Sequence, residues 1–351
     1  MSHITAIRLI NYLSFRETIC RLSPFTLIVG ANNTGKSNLL RAVKMVGSNP
    51  GKLPPQMVQA IRHHQCSADV PVLVDAVWDD GCISQSTMVG EASQTQEAGE
   101  SRLHFLFENG VPQSGSKFRY ASPDLEIFNF DPALIGGPEG GVGQPSISRN
   151  GQGVSWTLDK WNSGARPLRE RFERVITDLR RCVPEIERIS FYDVEAGTRA
   201  IQVEQAGLPD PVPLSEVSDG TRIVLALLTL LNVEAPPPVL LLEDIDRGLH
   251  PRLYEQLVDF LRGIAAEGRA QILATTHNPY LIDEFKDTPE AVVVVEKKDG
   301  ASTLSNLDER LAVIREPGEE LEIPLGQVWF SGLVGGVPRP KLPEILQHLA
   351  K

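Results

Sequence analysis

Eight residues, Gly30-Ala-Asn-Asn-Thr-Gly-Lys-Ser37, fit the pattern G-x-x-x-x-G-K-[ST] without exception. Each fixed position has a chemical reason. Gly30 and Gly35 let the backbone curl so that successive N–H groups, through Asn32, Asn33 and Thr34 to Asn38 in the first turn of the helix, face a β-phosphate. Lys36 reaches β- and γ-phosphate oxygens, and the Ser37 hydroxyl is a ligand for Mg²⁺. The pattern is informative when it lies between a strand and a helix. Phe25-Thr-Leu-Ile-Val29 reads as a short buried strand and Lys36 to Val46 as a helix, so both conditions are met.

Further residues would complete a triphosphate site. Pro238-Val-Leu-Leu-Leu-Glu243-Asp244 is an apolar strand ending in two carboxylates, the first suited to holding Mg²⁺ and the second to orienting or deprotonating an attacking water. A strand that merely ends in an acidic turn would look the same. Ser218-Asp219-Gly220-Thr221, whose Gly220 lies 23 residues ahead of Glu243, precedes an apolar helix and offers N–H groups and a hydroxyl to an anion. Thr276-His277-Asn-Pro279 ends a later strand, where His277 can touch a γ-phosphate. Asp246-Arg-Gly-Leu249-His250-Pro251 follows the acidic pair directly.

The elements that must position these residues follow from periodicity. Ile4 to Ile10 and Phe15 to Leu22 alternate as a strand, turn, strand unit. Val72 to Trp78, Leu103 to Phe107 and Lys117 to Tyr120 read as strands, and the polar tract Ser84 to Ser101 as a mobile loop. The glycine-rich run Gly136 to Gly143 lacks a flanking strand and Gly-Lys helix, and reads as a flexible linker. Pro167 to Val183 is helical, with Leu168, Phe172, Val175 and Leu179 on one face. Strands at Arg188 to Tyr192 and Ala200 to Val203 follow. The remainder alternates: helix Thr221 to Leu231, strand Val239 to Leu242, helix Arg252 to Ala265, strand Gln271 to Thr275, helix Pro279 to Phe285 and strand Ala291 to Glu296. This alternation predicts an α/β fold with a largely parallel sheet flanked by helices.

Composition narrows the function classes. Of 351 residues, 41% are apolar and 23% charged, as in globular proteins. The longest largely apolar stretch, Ile223 to Leu231, is too short to span a bilayer, and the N-terminal MSHITAIRLINY lacks the layout of a secretion signal, so a cytoplasmic location is expected. Cys20, Cys66, Cys82 and Cys182 have neither zinc-site nor disulfide-framework spacing. His63 and His64 beside Cys66 are not expected to form a metal site, because adjacent side chains on one element point apart. A net charge of −11 disfavours nonspecific wrapping of nucleic acid. Arg169, Arg171, Arg174, Arg180 and Arg181 are interleaved with Glu170, Glu173 and Asp178, which predicts a solvated helix face laced with ion pairs.

Taken in order, Gly30 to Ser37, Ser218 to Thr221, Leu242-Glu-Asp244, Leu249-His-Pro251 and Thr276-His277 resemble the ABC-type ATPase heads of the RecF, SMC and OLD (overcoming lysogenisation defect) group. They are especially similar to compact OLD-like ATPases. The resemblance covers Ile4 to Val46 and about Pro213 to Glu296. It implies a P-loop NTPase of the ABC type with a mainly parallel sheet, an antiparallel N-terminal β-lobe and a small helical insert. On that basis residues 1–351 form one ATPase domain: 1–50 and 184–300 the nucleotide-binding core, 51–183 an insert with β-lobe, loops and helix, and 301–351 a C-terminal extension.

The same resemblance implies ATP and Mg²⁺ as cofactors and a homodimer with composite sites. In such a site Ser218 to Thr221 of one protomer binds the γ-phosphate held by its partner's P-loop, and His277 senses it. Adenine is expected near the first hairpin, around Ser14 to Arg16. The glutamine loop that the resemblance implies has no assignable Gln. The order Glu243-Asp244 reverses the family's Asp-Glu; with a base one methylene shorter, slow turnover or a shift of role toward Asp246 is expected. The leading functional expectation is a signalling or clamp ATPase of bacterial antiphage defence that controls a separate effector such as a Toprim-type nuclease, only about 55 residues following Glu296. A RecF-like ATPase binding DNA directly is the alternative, and the nucleotide subunit of a membrane transporter a third. The tail Val328 to Pro338 is expected to pack on its own core or to dock a partner.

Overall fold

The computed structural model describes residues 3–47, 59–66, 71–79, 83–88, 125–141, 143–314 and 323–337. In chain order the strands are β1 (Ile4–Tyr12), β2 (Phe15–Arg21), β3 (Phe25–Val29), β4 (Val72–Trp78), β5 (Ile83–Met88), β6 (Ile127–Phe128), β7 (Ile186–Glu195), β8 (Thr198–Gln205), β9 (Val212–Pro213), β10 (Val239–Leu242), β11 (Gln271–Thr276), β12 (Val292–Lys298) and β13 (Ala301–Asn306). The helices are α1 (Lys36–Gly47), α2 (Val154–Ser163), α3 (Arg166–Cys182), α4 (Asp219–Leu231), α5 (Tyr254–Ala266), α6 (Pro279–Asp283), α7 (Leu307–Ile314) and α8 (Leu325–Phe330).

Ten strands form one sheet in the order β5-β4-β1-β2-β13-β12-β3-β11-β10-β6. From β12 to β6 every neighbouring pair is parallel, whereas β5, β4, β1 and β2 pair antiparallel. The expected parallel core and antiparallel N-terminal lobe are therefore both present. The central strands are buried on both faces, and alternation along each sends neighbouring side chains to opposite sides. Ile28, Val239, Leu241, Leu273, Val293 and Val295 meet Leu39, Leu40, Val43 and Val46 of α1 in one core. Leu27, Val29, Leu240, Leu242, Ile272, Ala274, Val292 and Val294 face the other core, which contains the buried faces of α2 to α8. Among the described helices with core residues, α1 thus lies on one face of the sheet and the rest on the opposite face.

Several expectations are corrected. Residues 84–88, read as the start of a mobile loop, belong to β5, which pairs along β4. Ile83-Ser-Gln-Ser-Thr-Met88 carries little apolar signal because an edge strand is held by its backbone ladder. The remainder of that tract, and the expected strands at 103–107 and 117–120, lie outside the described residues. The glycine-rich run is no free linker: Glu139 exchanges backbone hydrogen bonds with Arg199, and its carboxylate accepts from the N–H groups of Gly153 and Trp156 at 2.7 and 3.1 Å, capping α2. The rings of His63 and His64 do not point apart but stack at 4.6 Å, because 63–66 is a turn closed by Cys66 N–H to His63 O. Among the described residues no group of three His, Cys, Asp or Glu side chains is placed to hold a metal, and no helix is long and apolar enough to cross a membrane.

The expected lacing of helix α3 is partial: Arg181–Asp178 at 3.2 Å joins two of the expected residues, Arg166–Glu170 at 2.8 Å draws in an arginine at the helix start, and Arg171 reaches off the helix to Glu234 at 3.8 Å. Strand β13 pairs with β12 and touches β2, so the sheet continues across residue 300, where an extension was expected to begin.

Candidate functional site

Three parallel neighbours, β3, β11 and β10, end at the same edge of the sheet and deliver the loop after Val29, His277 and the Glu243-Asp244 pair to one place. The carboxyl ends of parallel strands are where a doubly wound sheet leaves a crevice for ligands. At its centre the loop curls tightly. A Cβ on Gly30 would lie 2.5 Å from the Val295 carbonyl oxygen, and Gly35 has φ of 114°, a region costly for other residues. Asn33, at φ 62°, is the left-handed residue between them.

Lys36 is buried and turns back into the loop, donating to the carbonyls of Gly30 at 2.8 Å and Ala31 at 3.1 Å. Burial holds its ammonium below the usual lysine range, while Asp244, Asp246 and Glu243 act in the opposite sense. The Ser37 hydroxyl donates to a Glu243 carboxylate oxygen. The two residues expected to bind Mg²⁺ are therefore in contact across β3 and β10. A hydroxyl and a carboxylate are hard oxygen donors, and Mg²⁺ ordinarily takes one or two such ligands with substrate phosphates and water, so the pair fits the ion.

Asp244 adopts a left-handed turn at φ 51°, fixed by its N–H donating to Thr275 Oγ1 at 2.9 Å. Its carboxylate lies 3.9 Å from His277 Nδ1. Desolvation by burial raises its pKa above the usual carboxylate range; His277 lowers it, and Glu243 and Asp246 push it further up. Asp246, by contrast, is buried and accepts from Thr276 Oγ1 at 2.6 Å. It braces the end of β11, while Asp244 and His277 remain open to the crevice. Asn278 caps α6 through Tyr280 N–H and donates to the Tyr254 hydroxyl at 2.6 Å, fixing the chain just beyond His277.

Ser218 is the N-cap of α4: its hydroxyl accepts from Thr221 N–H at 3.3 Å and lies 2.8 Å from Thr221 Oγ1. Asp219 pairs with Arg222, which also donates to Pro132 O at 2.7 Å. Gly220 is buried against Leu249, so Ser218 to Thr221 is packed on the turn that follows the acidic pair. This segment leads into α4 in the layer opposite α1, and none of these hydrogen bonds reaches the P-loop. Ser14 accepts from Asn38 Nδ2 at 3.0 Å, placing the first hairpin beside the start of α1, and Arg16 is exposed on that hairpin.

One residue at this edge was missed. Asn129 follows β6, the neighbour of β10; Glu243 N–H donates to Phe128 O at 2.8 Å, and Asn129 Oδ1 accepts from Arg247 at 3.4 Å. A two-residue strand gives almost no periodic signal, so Asn129 was legible only through β6's pairing.

Residues 154–283 match the family model described as "AAA domain, putative AbiEii toxin, Type IV TA system". A "Putative ABC transporter ATP-binding protein" of Streptomyces coelicolor is 39% identical over 101 residues, 25% of this chain and 18% of that protein. One from Streptomyces avermitilis is 42% identical over 69 residues, 20% of this chain and 12% of that protein. The matched part thus spans less than a fifth of these relatives' length. Among solved structures, the SMC head domain from Thermotoga maritima aligns at a TM-score of 0.45 and 16% identity, covering 87% of this chain and 98% of that one. A Pyrococcus furiosus Smc head bound to the C-terminal domain of ScpA aligns at 0.48 and 14%, covering 91% and 100%. The parallel sheet, the helix after the glycine-rich loop and the motifs at the strand ends give this chain the P-loop NTPase fold.

Proposed function

We propose that the chain binds ATP with Mg²⁺ at the P-loop, hydrolyses it slowly, and closes as a homodimer around two composite sites to control a partner effector. One observation carries the dimer: α1, the helix that follows the P-loop, packs on one face of the sheet and α4, with Ser218 at its N-terminus, packs in the layer on the other. An anion-binding helix start in a different layer from the helix of its own phosphate loop has a use if a second copy supplies the phosphate.

In this reading Gly30 to Asn38 cradles the phosphates, Lys36 leaves the Gly30 and Ala31 carbonyls for β- and γ-oxygens, and Ser37 and Glu243 hold the metal. Bound there, Mg²⁺ would neutralise charge on the β- and γ-phosphates. Asp244 orients and deprotonates the attacking water, with His277 beside it and the γ-phosphate. Asn129, next to the Phe128 that holds Glu243, is assigned the part of the missing glutamine, and Arg16 that of meeting the base. Asp246 keeps a bracing role, which leaves the shorter carboxylate of Asp244 as the base and supports slow turnover. The family description, which names a toxin–antitoxin system, supports a defence role in which ATP-driven closure switches the effector.

Sedimentation of the full chain with and without ATP·Mg²⁺ tests this. The wild type is expected to shift from monomer to dimer, and Lys36→Ala to remain monomeric. Unchanged ATP-driven assembly in Lys36→Ala would sink the proposal.

A further inference from the structure

The segment 325–337 lies outside the sheet and the nucleotide motifs, yet it touches both the P-loop and the helix that follows His277. At one end α8 is clamped on α6, the helix directly after His277: Gly326 N–H donates to Asp283 Oδ1 at 2.7 Å, and Gly326 lies against the Pro279 backbone. Trp329 and Val334 then bury into the core beneath. At the other end the Gly336 carbonyl accepts from Ala31 N–H, within the P-loop, at 2.8 Å. Gly336 sits at φ 79°, where a Cβ would come within 2.8 Å of Val294 Cγ1 and 2.9 Å of Trp329 Nε1. Only glycine lets the carbonyl reach Ala31 while the chain lies against Val294 and Val295 of β12.

We propose that residues 325–337 are a strap that positions the P-loop for ATP, with Gly336 as the positioning residue, and that it ties the P-loop to the helix behind His277. This rests on the P-loop reading given above. Gly30 abuts the Val295 carbonyl on its inner side, and Ala31 is held by Gly336 on its outer side, so the first turn of the loop is fixed before nucleotide arrives. A loop fixed in advance loses less freedom on binding. Ligand-driven movement of the loop must also be felt at Trp329, which packs directly under Gly336.

The test measures ATP·Mg²⁺ affinity in the full chain for Gly336→Val, Gly332→Ala and Lys36→Ala. Gly332, at φ 79°, has open space where its Cβ would go, so its substitution strains the same strap without displacing the Ala31 contact. Gly336→Val is expected to bind ATP about three- to tenfold more weakly, the range for losing one hydrogen bond, while Gly332→Ala keeps wild-type affinity. Wild-type affinity in Gly336→Val, or losses in both strap variants that simply track their fall in Tm, would overturn the strap. If Lys36→Ala itself keeps its affinity, the P-loop reading fails instead. Should Gly336→Val not fold, the emission of Trp329, taken as wild type minus Trp329→Phe, decides: it is expected to shift with the midpoint of ATP binding, and a flat difference signal overturns the proposal.

Discussion

Asp244 is the residue whose chemistry is most exposed to test, because burial and two neighbouring carboxylates raise its pKa while His277 lowers it. For a carboxylate with a raised folded-state pKa, stability is lost as pH rises from the unfolded to the folded value, since the charged form is the one disfavoured on folding. Asp244→Asn is therefore expected to stabilise the free chain above that window, in the urea midpoint at neutral pH, and to lower turnover about a hundredfold or more. The acid limb of kcat/KM in the wild type should lie above the ordinary carboxylate range and vanish in the variant; a limb at the usual value would contradict the role given to Asp244. At this scale the sequence was most legible where chemistry demands fixed residue types. Gly30, Lys36, Ser37 and Glu243 come together as their spacing implied. Asn129 and Gly336 were not legible, because their importance comes from partners distant in sequence, Phe128 beside Glu243 and Gly336 beside Ala31.

Helices and strands were readable where apolar side chains repeat and unreadable where the backbone does the holding. The periodic helix α3 and the buried strands β3, β10 and β11 fall within a residue or two of expectation. The polar edge strand β5 and the short helix α2 did not announce themselves; α2 is held at its start by Glu139, 14 residues before Gly153. Two backbone donors at a helix N-terminus depend on that one carboxylate. Glu139→Ala is expected to cost about 1–2 kcal/mol in a denaturant midpoint, in the manner of a lost N-cap, whereas a change within error would remove Glu139 from the helix start. Ser218 makes the parallel case for α4. Ser218→Ala should cost about 1 kcal/mol of stability through the lost cap and, beyond that, abolish ATP-driven dimerisation; dimerisation at wild-type ATP concentrations would separate the cap from any role across the interface.

For the molecule as a whole, the proposed pairing of two copies rests on the sheet. The helix after the P-loop, α1, and α4 belong to layers on opposite faces, a separation that periodicity leaves open, since it assigns a helix to some face but not to which one. Two chains meeting in an antiparallel manner would give each P-loop the partner's Ser218 turn, and the sites would work in pairs. The most direct test mixes two inactive variants, Lys36→Ala, which spoils the P-loop, and Ser218→Arg, which fills the opposing turn with a bulky charge at an exposed position. Each alone should lack turnover, and the mixture should regain it, because half-mutant dimers contain one site built from an intact P-loop and an intact Ser218 turn. A mixture as inactive as its components, with heterodimers demonstrably formed, would contradict the composite site.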